Sequence, residues 1–316
     1  MAEALVAEDV RKRYGEVVAV DGVSFAVDEG EVFGLVGPNG AGKTTLVRSL
    51  TGTTTCDGEI RVLGASPSAL DPNRVGLLPQ SFRPAARLTA RELVRYYAGL
   101  YDEARDPDAV LADVGLADAA DQWYENLSGG QRRRVCVGAA LVNDPDVLFL
   151  DEPTTGIDPA GRRALWDLFS DLAAGGTSIF LTSHSMGEIE HLADRVALMR
   201  GGEVVAVGDP DALVAEYGGE SRLVVEVEDA GADAPVDDVL GESGTDLGAY
   251  DTDLVDGELV VYDVAAEDIG DVVHALESTG VTFESFTWAE PDLEDVYLRL
   301  TGESLDELDG STGGER

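Results

Sequence analysis

Over the first two thirds of the chain, short β-branched runs alternate with helical periodicity. Glu31–Val36 then Lys43–Leu50, Val147–Leu150 then Ala160–Ala173, and Ser178–Thr182 then Gly187–Leu192 read in turn as strand and helix. Alternation of this kind predicts an α/β domain with a mainly parallel sheet. Thr89–Asp121 breaks the pattern, because LTARELVRYYAGLY carries apolar residues at three- and four-residue spacing. It reads as a helical insertion in the sheet domain, a subdomain of about 81–140. After Gly218-Gly219, a plausible linker, RLVVEVED and ELVVYDV read as strands, DIGDVVHALESTG as a helix ending in Gly, and VTFESF as a strand. The predicted organisation is therefore 1–219, a small α+β domain over 220–302, and a disordered acidic tail over 303–316. There is no internal repeat.

Charge changes the picture more than composition does. The 316 residues hold 62 Asp+Glu against 22 Lys+Arg, for a formal net charge of −40, and the only lysines are Lys12 and Lys43. A nucleic-acid binder needs a basic face, and an anionic-membrane binder a polybasic patch; neither is present. Yet 44% of the residues are hydrophobic, too many for a disordered acidic chain. Like charge of this density strains a compact state unless salt screens it. The composition thus suggests a salt-filled cytosol, as in a halophilic archaeon. The charge is uneven: residues 1–219 hold 34 acids and 19 bases, residues 220–316 hold 28 and 3. Cys56 and Cys136 form no metal or C-x-x-C spacing, which fits a reduced interior. The N-terminus lacks a secretory signal, and no run approaches the roughly 20 apolar residues of a membrane span.

Three motifs carry chemistry. Gly37-Pro38-Asn39-Gly40-Ala41-Gly42-Lys43-Thr44-Thr45 follows the apolar strand VFGLV and fits G-x-x-x-x-G-K-[ST]. Its glycines let backbone N–H groups turn inward around phosphate oxygens, at the positive end of the following helix. Lys43 supplies a mobile charge for the β- and γ-phosphates, and Thr44 a hydroxyl for Mg²⁺. In Val147–Glu152, four apolar residues form a buried strand whose end presents Asp151 and Glu152, one placed for Mg²⁺ and one for a proton from attacking water. Leu127-Ser128-Gly129-Gly130-Gln131 forms a turn at a helix start, a second anion site. The Arg132–Arg134 run after it reads as a solvated face with local ion pairs.

Together the motifs resemble the nucleotide-binding subunit of ABC transporters, over residues 5–217 and in that family's order. The resemblance implies a P-loop ATPase fold and ATP and Mg²⁺ as cofactors. It makes Ser128, Gly129, Gly130 and Gln131 the signature motif, which contacts the γ-phosphate held by an opposite subunit, so that two chains sandwich two ATP molecules. It implies that Tyr14 stacks on adenine and that Gln80 touches Mg²⁺ and the attacking water. Asp158 matches the D-loop aspartate, in a loop where Ile157 replaces the usual Leu, and His184 matches the switch histidine. Lys43, Gln80, Glu152 and His184 are then the catalytic set, with Thr44, Gln80 and Asp151 at the metal. His191 and His274 read as structural, and Cys136 as an inert core residue.

Trp288–Gly302 resembles the closing motif of drug-resistance and polysaccharide-export ABC ATPases, which pair with separate membrane permeases and are usually exporters. Its helix places Leu293, Val296, Tyr297 and Leu300 on one apolar face, suited equally to packing within the chain or across a dimer. The expected protein is an ATPase subunit on the inner face of the membrane, held there by a permease and paired with a second copy. The alternatives are a non-transport ABC ATPase and a regulatory nucleotide-binding module that does not turn over.

Overall fold

The computed structural model describes residues 2–227, 247, 250–255, 257–279 and 282–302. Two antiparallel strands, β1 (Glu3–Tyr14) and β2 (Val17–Asp28), join β4 (Asp57–Val62) in a sheet of order β2-β1-β4. A second sheet is built from β3 (Val32–Val36), β5 (Val75–Leu78), β6 (Val147–Asp151), β7 (Ser178–Ser183), β8 (Arg195–Arg200) and β9 (Glu203–Gly208). Its order is β5-β6-β7-β3-β8-β9, parallel except for the final β8–β9 pair. Every residue of β3, β6 and β7 is buried. That is why these strands read as unbroken apolar runs rather than alternating ones. The α/β expectation holds, with mainly parallel pairing.

Helices α1 (Lys43–Leu50), α5 (Pro159–Ala174) and α6 (Met186–Leu192) follow β3, β6 and β7 in turn. Strand ends and helix starts therefore converge on one edge of the sheet, where open α/β folds bind ligands. The two sheets meet through aromatic packing. Phe25 of β2 stacks on Phe33 of β3 at 5.0 Å and on Phe180 of β7 at 5.6 Å, and Phe149 of β6 lies 5.9 Å from Phe180.

The insertion between β5 and β6 contains α2 (Ala90–Ala98), α3 (Pro107–Asp113) and α4 (Gly129–Ala140). α2 starts where a reciprocal capping box forms: Thr89 Oγ1 accepts the Glu92 N–H at 3.1 Å and Glu92 Oε2 accepts the Thr89 N–H at 2.9 Å. Its apolar stripe, Ala90, Leu93 and Val94, is buried, and Gly99 ends it.

Contacts divide the chain into one unit of Met1–Ala212 with the residues from Thr301 onward, and a second of Leu213–Leu300. The division falls before Gly218-Gly219. Those glycines belong to the second unit's packing: a Cβ on Gly218 would lie 3.1 Å from Pro291 Cβ, and Gly219 has φ +88 against the Arg299 guanidinium. The second unit is an antiparallel sheet of order β11-β12-β10-β13, from β10 (Arg222–Val227), β11 (Thr252–Val255), β12 (Glu258–Tyr262) and β13 (Phe283–Ala289). Leu223, Val225, Leu259 and Val261 pack there with Val272 and Leu276 of helix Ile269–Thr279. β11 was not legible in the sequence, since four residues flanked by aspartates present no apolar run. In helix Leu293–Thr301, Leu293, Val296 and Tyr297 are fully buried within the chain, so this face is not left for a dimer. The tail expected over 303–316, and the final Gly280 of DIGDVVHALESTG, lie outside the described residues.

Truncating Phe180 removes the ring shared by both sheets. Phe180→Ala should destabilise the protein by about 3–5 kcal/mol, read as a lower denaturant midpoint at unchanged m-value.

Candidate nucleotide site

The loop Gly37–Thr45 takes its shape from glycines at three points. A Cβ on Gly37 would meet Met199 O at 2.1 Å, and one on Gly42 would meet Ala19 O at 2.2 Å, both backbone atoms that cannot give way. Gly40 and Gly42 have φ of +84 and +108, the left-handed region that side chains disfavour. Gly42 precedes the first residue of α1. Lys43 is buried, with Nζ donating to Gly37 O at 2.5 Å and Pro38 O at 3.1 Å. The loop thus curls around its own ammonium. Ala41 is buried, and its N–H reaches Pro38 O at 3.2 Å.

Asn39, Gly40, Gly42, Lys43, Thr44 and Thr45 line a cavity of about 280 Å³ that Gln80 and Glu152 also reach. A neighbouring cavity of about 490 Å³ is bounded by Tyr14, Thr44, Gln80 and Asp151. Residues from four separate stretches of chain therefore meet. Tyr14 is 46% exposed, so a ring face is open to a ligand. Lys12 Nζ sits 5.1 Å from the centroid of that ring, placing the other lysine beside the same mouth.

At the end of β6, Asp151 is buried and its Oδ1 accepts the Thr182 hydroxyl at 2.6 Å. Glu152 has φ +52, a left-handed conformation in a non-glycine residue. Such a backbone costs about 1–3 kcal/mol and persists only where surroundings impose it. The Glu152 N–H is held by Thr182 O at 3.1 Å and Thr182 Oγ1 at 3.2 Å, while its carbonyl accepts Arg133 Nη2 at 2.7 Å. His184, half-exposed, brings Nδ1 to 3.8 Å from Glu152 Oε2. Lys43, Gln80 and Glu152 thus border one cavity, Gln80 and Asp151 the neighbouring one, and His184 stands beside Glu152, a set of groups suited to phosphoryl transfer to water.

The model of the ABC transporter family matches residues 20–155. The daunorubicin resistance ATP-binding protein DrrA3 of Streptomyces coeruleorubidus is 37% identical over 310 residues, covering 95% of this chain and 96% of that protein. The chain belongs to the ABC transporter ATP-binding family. The linearmycin resistance ATP-binding protein LnrL of Bacillus subtilis is 35% identical, over 95% of this chain and 99% of that protein. The Nod factor export ATP-binding protein I of Rhizobium meliloti is also 35% identical, over 96% of this chain and 89% of that protein. A solved ATP-binding subunit of an ABC transporter superposes with a TM-score of 0.62 at 25% identity, covering 68% of this chain and 93% of that one. A dimeric cassette bound to ADP and Pi has the same fold, with a TM-score of 0.60 at 23% identity over 65% of this chain and 98% of that one. The protein is an ATP-binding, ATP-hydrolysing subunit of an ABC transporter.

In this ABC ATPase the turn Ser128–Gln131 lies apart from the loop cavities. Its residues line neither. They sit instead beside the segment 156–158, where a Cβ on Gly130 would be 3.5 Å from Asp158 Oδ1 and from Ile157 Cα. Ser128 Oγ accepts the Gln131 N–H at 3.2 Å, and Gln131 Oε1 accepts the Ser128 N–H at 2.9 Å, so these two side chains cap α4. Asp158 caps α5 through the Gly161 N–H at 3.2 Å.

One expectation is corrected. Arg132 is exposed and Arg133 and Arg134 are half-buried, but in place of the expected ion pairs all three donate to main-chain carbonyls. Arg132 donates to Tyr124 O and Glu125 O, Arg134 to Val114 O and Gly115 O, and Arg133 to carbonyls around the site. The loops that these helices approach present carbonyls rather than carboxylates. Cys136 is buried on α4 as expected, 3.6 Å from the Tyr124 hydroxyl, and burial pushes its thiol up.

Sequence reasoning also missed Thr182 and Glu188. Buried Glu188 accepts from Thr154 Oγ1 at 2.7 Å, Trp166 Nε1 at 3.1 Å and Ser183 Oγ at 2.6 Å, tying the segment after Glu152 to the one before His184. His191 packs its ring against that same Trp166, centroids 4.5 Å apart and tilted by 38°, a structural place, whereas His274 is exposed beside Glu277. Only the shared apolar strand before them marks Thr182 and Ser183 in the sequence.

Thr182→Val keeps shape but strips the donor from Asp151 and one acceptor from the Glu152 N–H. The unsatisfied buried groups cost about 1–3 kcal/mol. ATP hydrolysis by this variant should fall about ten- to hundredfold, measured as kcat by phosphate release.

Proposed function

We propose that this subunit powers an exporter: two copies close head to tail around two ATP molecules and drive a separate membrane permease. The observation that carries the reading is that Glu152 lines the same cavity as Lys43, with His184 3.8 Å from its carboxylate and Ser128–Gln131 outside the cavity. A site so divided calls for a second chain to supply its signature turn. The names of the drug-resistance and Nod factor export relatives support export. The permease sets the substrate and holds the subunit at the inner membrane face. No helix among the described residues is long and apolar enough to cross a membrane. A non-transport role is not favoured by these relatives.

In this reading the Gly37–Thr45 loop and Lys43 bind the β- and γ-phosphates, and Tyr14 stacks on the base. Thr44, Gln80 and Asp151 border one cavity and offer a hydroxyl, an amide oxygen and a carboxylate. That all-oxygen set fits Mg²⁺, which keeps waters and substrate phosphates in its shell. Among the described residues no group of three His, Cys, Asp or Glu forms a self-sufficient metal cage, so the ion would arrive with ATP. Bound there, Mg²⁺ neutralises charge on the phosphate oxygens. Glu152 orients the attacking water and takes its proton, and His184 donates to the γ-phosphate as charge develops. Glu152→Gln should lower hydrolysis by at least about a thousandfold while retaining ATP-bound dimers. Phosphate release and gel filtration with ATP check this together; rapid hydrolysis by the variant contradicts the assignment.

We also infer a salt-rich cytosol, as in a halophilic archaeon, from the −40 net charge and the two lysines. The relatives described above are bacterial, and the inference rests on charge alone. Activity and melting temperature should both rise between about 0.1 and 2 M KCl, as the Debye length drops from about 10 Å to under 3 Å. A flat response sinks the salt reading and leaves the ATPase assignment intact.

A further inference from the structure

Arg133 places its N–H groups on five main-chain carbonyls. Nε donates to Pro153 O at 3.2 Å, and Nη2 to Asp151 O at 2.6 Å and Glu152 O at 2.7 Å. Nη1 lies 3.3 Å from Pro79 O and 3.4 Å from Gln80 O. The acceptors come from two loops far apart in sequence: the turn after β6 that carries Glu152, and the turn after β5 that carries Gln80. The donor sits on α4, in the second turn after Ser128. A planar guanidinium with a fixed fork suits such a set, whereas a lysine offers three donors around one point. The cation is largely desolvated, and that burial pushes its pKa down, with Asp151 and Glu152 among the charges that offset it. It is spent on geometry rather than on an ion pair.

The carbonyl it holds most closely besides that of Asp151 belongs to Glu152, whose backbone is strained. Thr182 fixes the N–H side of Glu152, and Arg133 fixes the carbonyl side. Losing either clamp lets φ relax and re-aims the carboxylate. We propose that Arg133 is a positioning residue that ties the signature helix to the Glu152 and Gln80 loops, so that engagement of α4 by a second subunit's nucleotide is felt by the hydrolytic groups of its own chain. The proposal rests on the dimeric ATPase reading. It deepens that reading by naming the strut through which one composite site reports on the other. Because α4 would serve the neighbouring chain's ATP while Glu152 serves its own, a rigid tie between them gives the two sites a common state.

The test uses the full chain in molar KCl and compares the wild type with Arg133→Lys and Arg133→Ala. Phosphate release across ATP concentrations yields kcat and KM, a fluorescent ATP analogue reports binding, and a melting curve reports folding. In Arg133→Lys, kcat should fall about ten- to hundredfold, with KM and analogue affinity within about threefold, the pattern of an interaction that acts on the reacting state. The Hill coefficient for ATP should fall toward one. Methylguanidinium should restore part of the Arg133→Ala rate and none of the Glu152→Gln rate. A wild-type kcat in folded Arg133→Lys overturns the proposal, as does a rate loss matched by lost ATP affinity. Should both variants fail to fold, hydrogen exchange on the wild type decides: ATP should change protection at 128–135 and at 152–155 together, and independent responses overturn the tie. A wild type that binds but never hydrolyses ATP instead defeats the ATPase reading.

Discussion

Everything at the mouth of the sheet depends on how β6 ends. The strand is buried over its whole length, and the carboxylates at its end, Asp151 and Glu152, stay buried while each lines one of the two cavities. A carboxylate leaving a buried strand could face many ways. Here it is aimed by an unfavourable backbone, φ +52, held by hydrogen bonds donated to Thr182 on one side and accepted from Arg133 on the other. The same threonine hydroxyl orients Asp151. Two acids, adjacent in sequence and alike in type, thereby take different environments.

Around that point the protein solves a charge problem. A triphosphate must enter a body of net charge −40. Attraction comes from local sources: Lys43, the curled loop around it, and the start of α1. Lys43 rests on Gly37 O and Pro38 O, so it is held in place by weak acceptors that a phosphate oxygen outcompetes. Global charge then governs screening and solubility, and a handful of fixed dipoles governs the site.

The helical insertion matters for the same reason. α4 carries the signature turn at one end and Arg133 one turn on, and it lies between the Gln80 loop and the turn after β6. Glu188 makes a second tie, joining Thr154 to Ser183 across the segment that leads to His184. In the proposed mechanism the residues assigned to phosphate are held by Arg133, Thr182 and Glu188, which line neither cavity. These holders are invisible to motif reasoning, because an arginine on a helix or a glutamate in an acidic chain has no local mark.

What the sequence determined by itself was periodicity and loop chemistry. Unbroken apolar runs followed by helical repeats specify buried parallel strands with crossover helices. Gly37 and Gly42 leave no room for a Cβ and Gly40 takes a left-handed φ, so the turn is written in glycines, and Lys43 and Thr44 are meaningful only after it. β11 escaped because four residues between aspartates carry no pattern, and the glycine pair at 218–219 misled because a packed glycine and a flexible one look alike in sequence. Tertiary structure alone decided the partners of Arg132–Arg134, the buried side of the final helix, and the strain at Glu152. Each of these turns on which carbonyl, ring or backbone arrives from a distant stretch of chain. Local propensity cannot encode that, since the energy of a buried cation or a left-handed residue is set by neighbours that folding brings together.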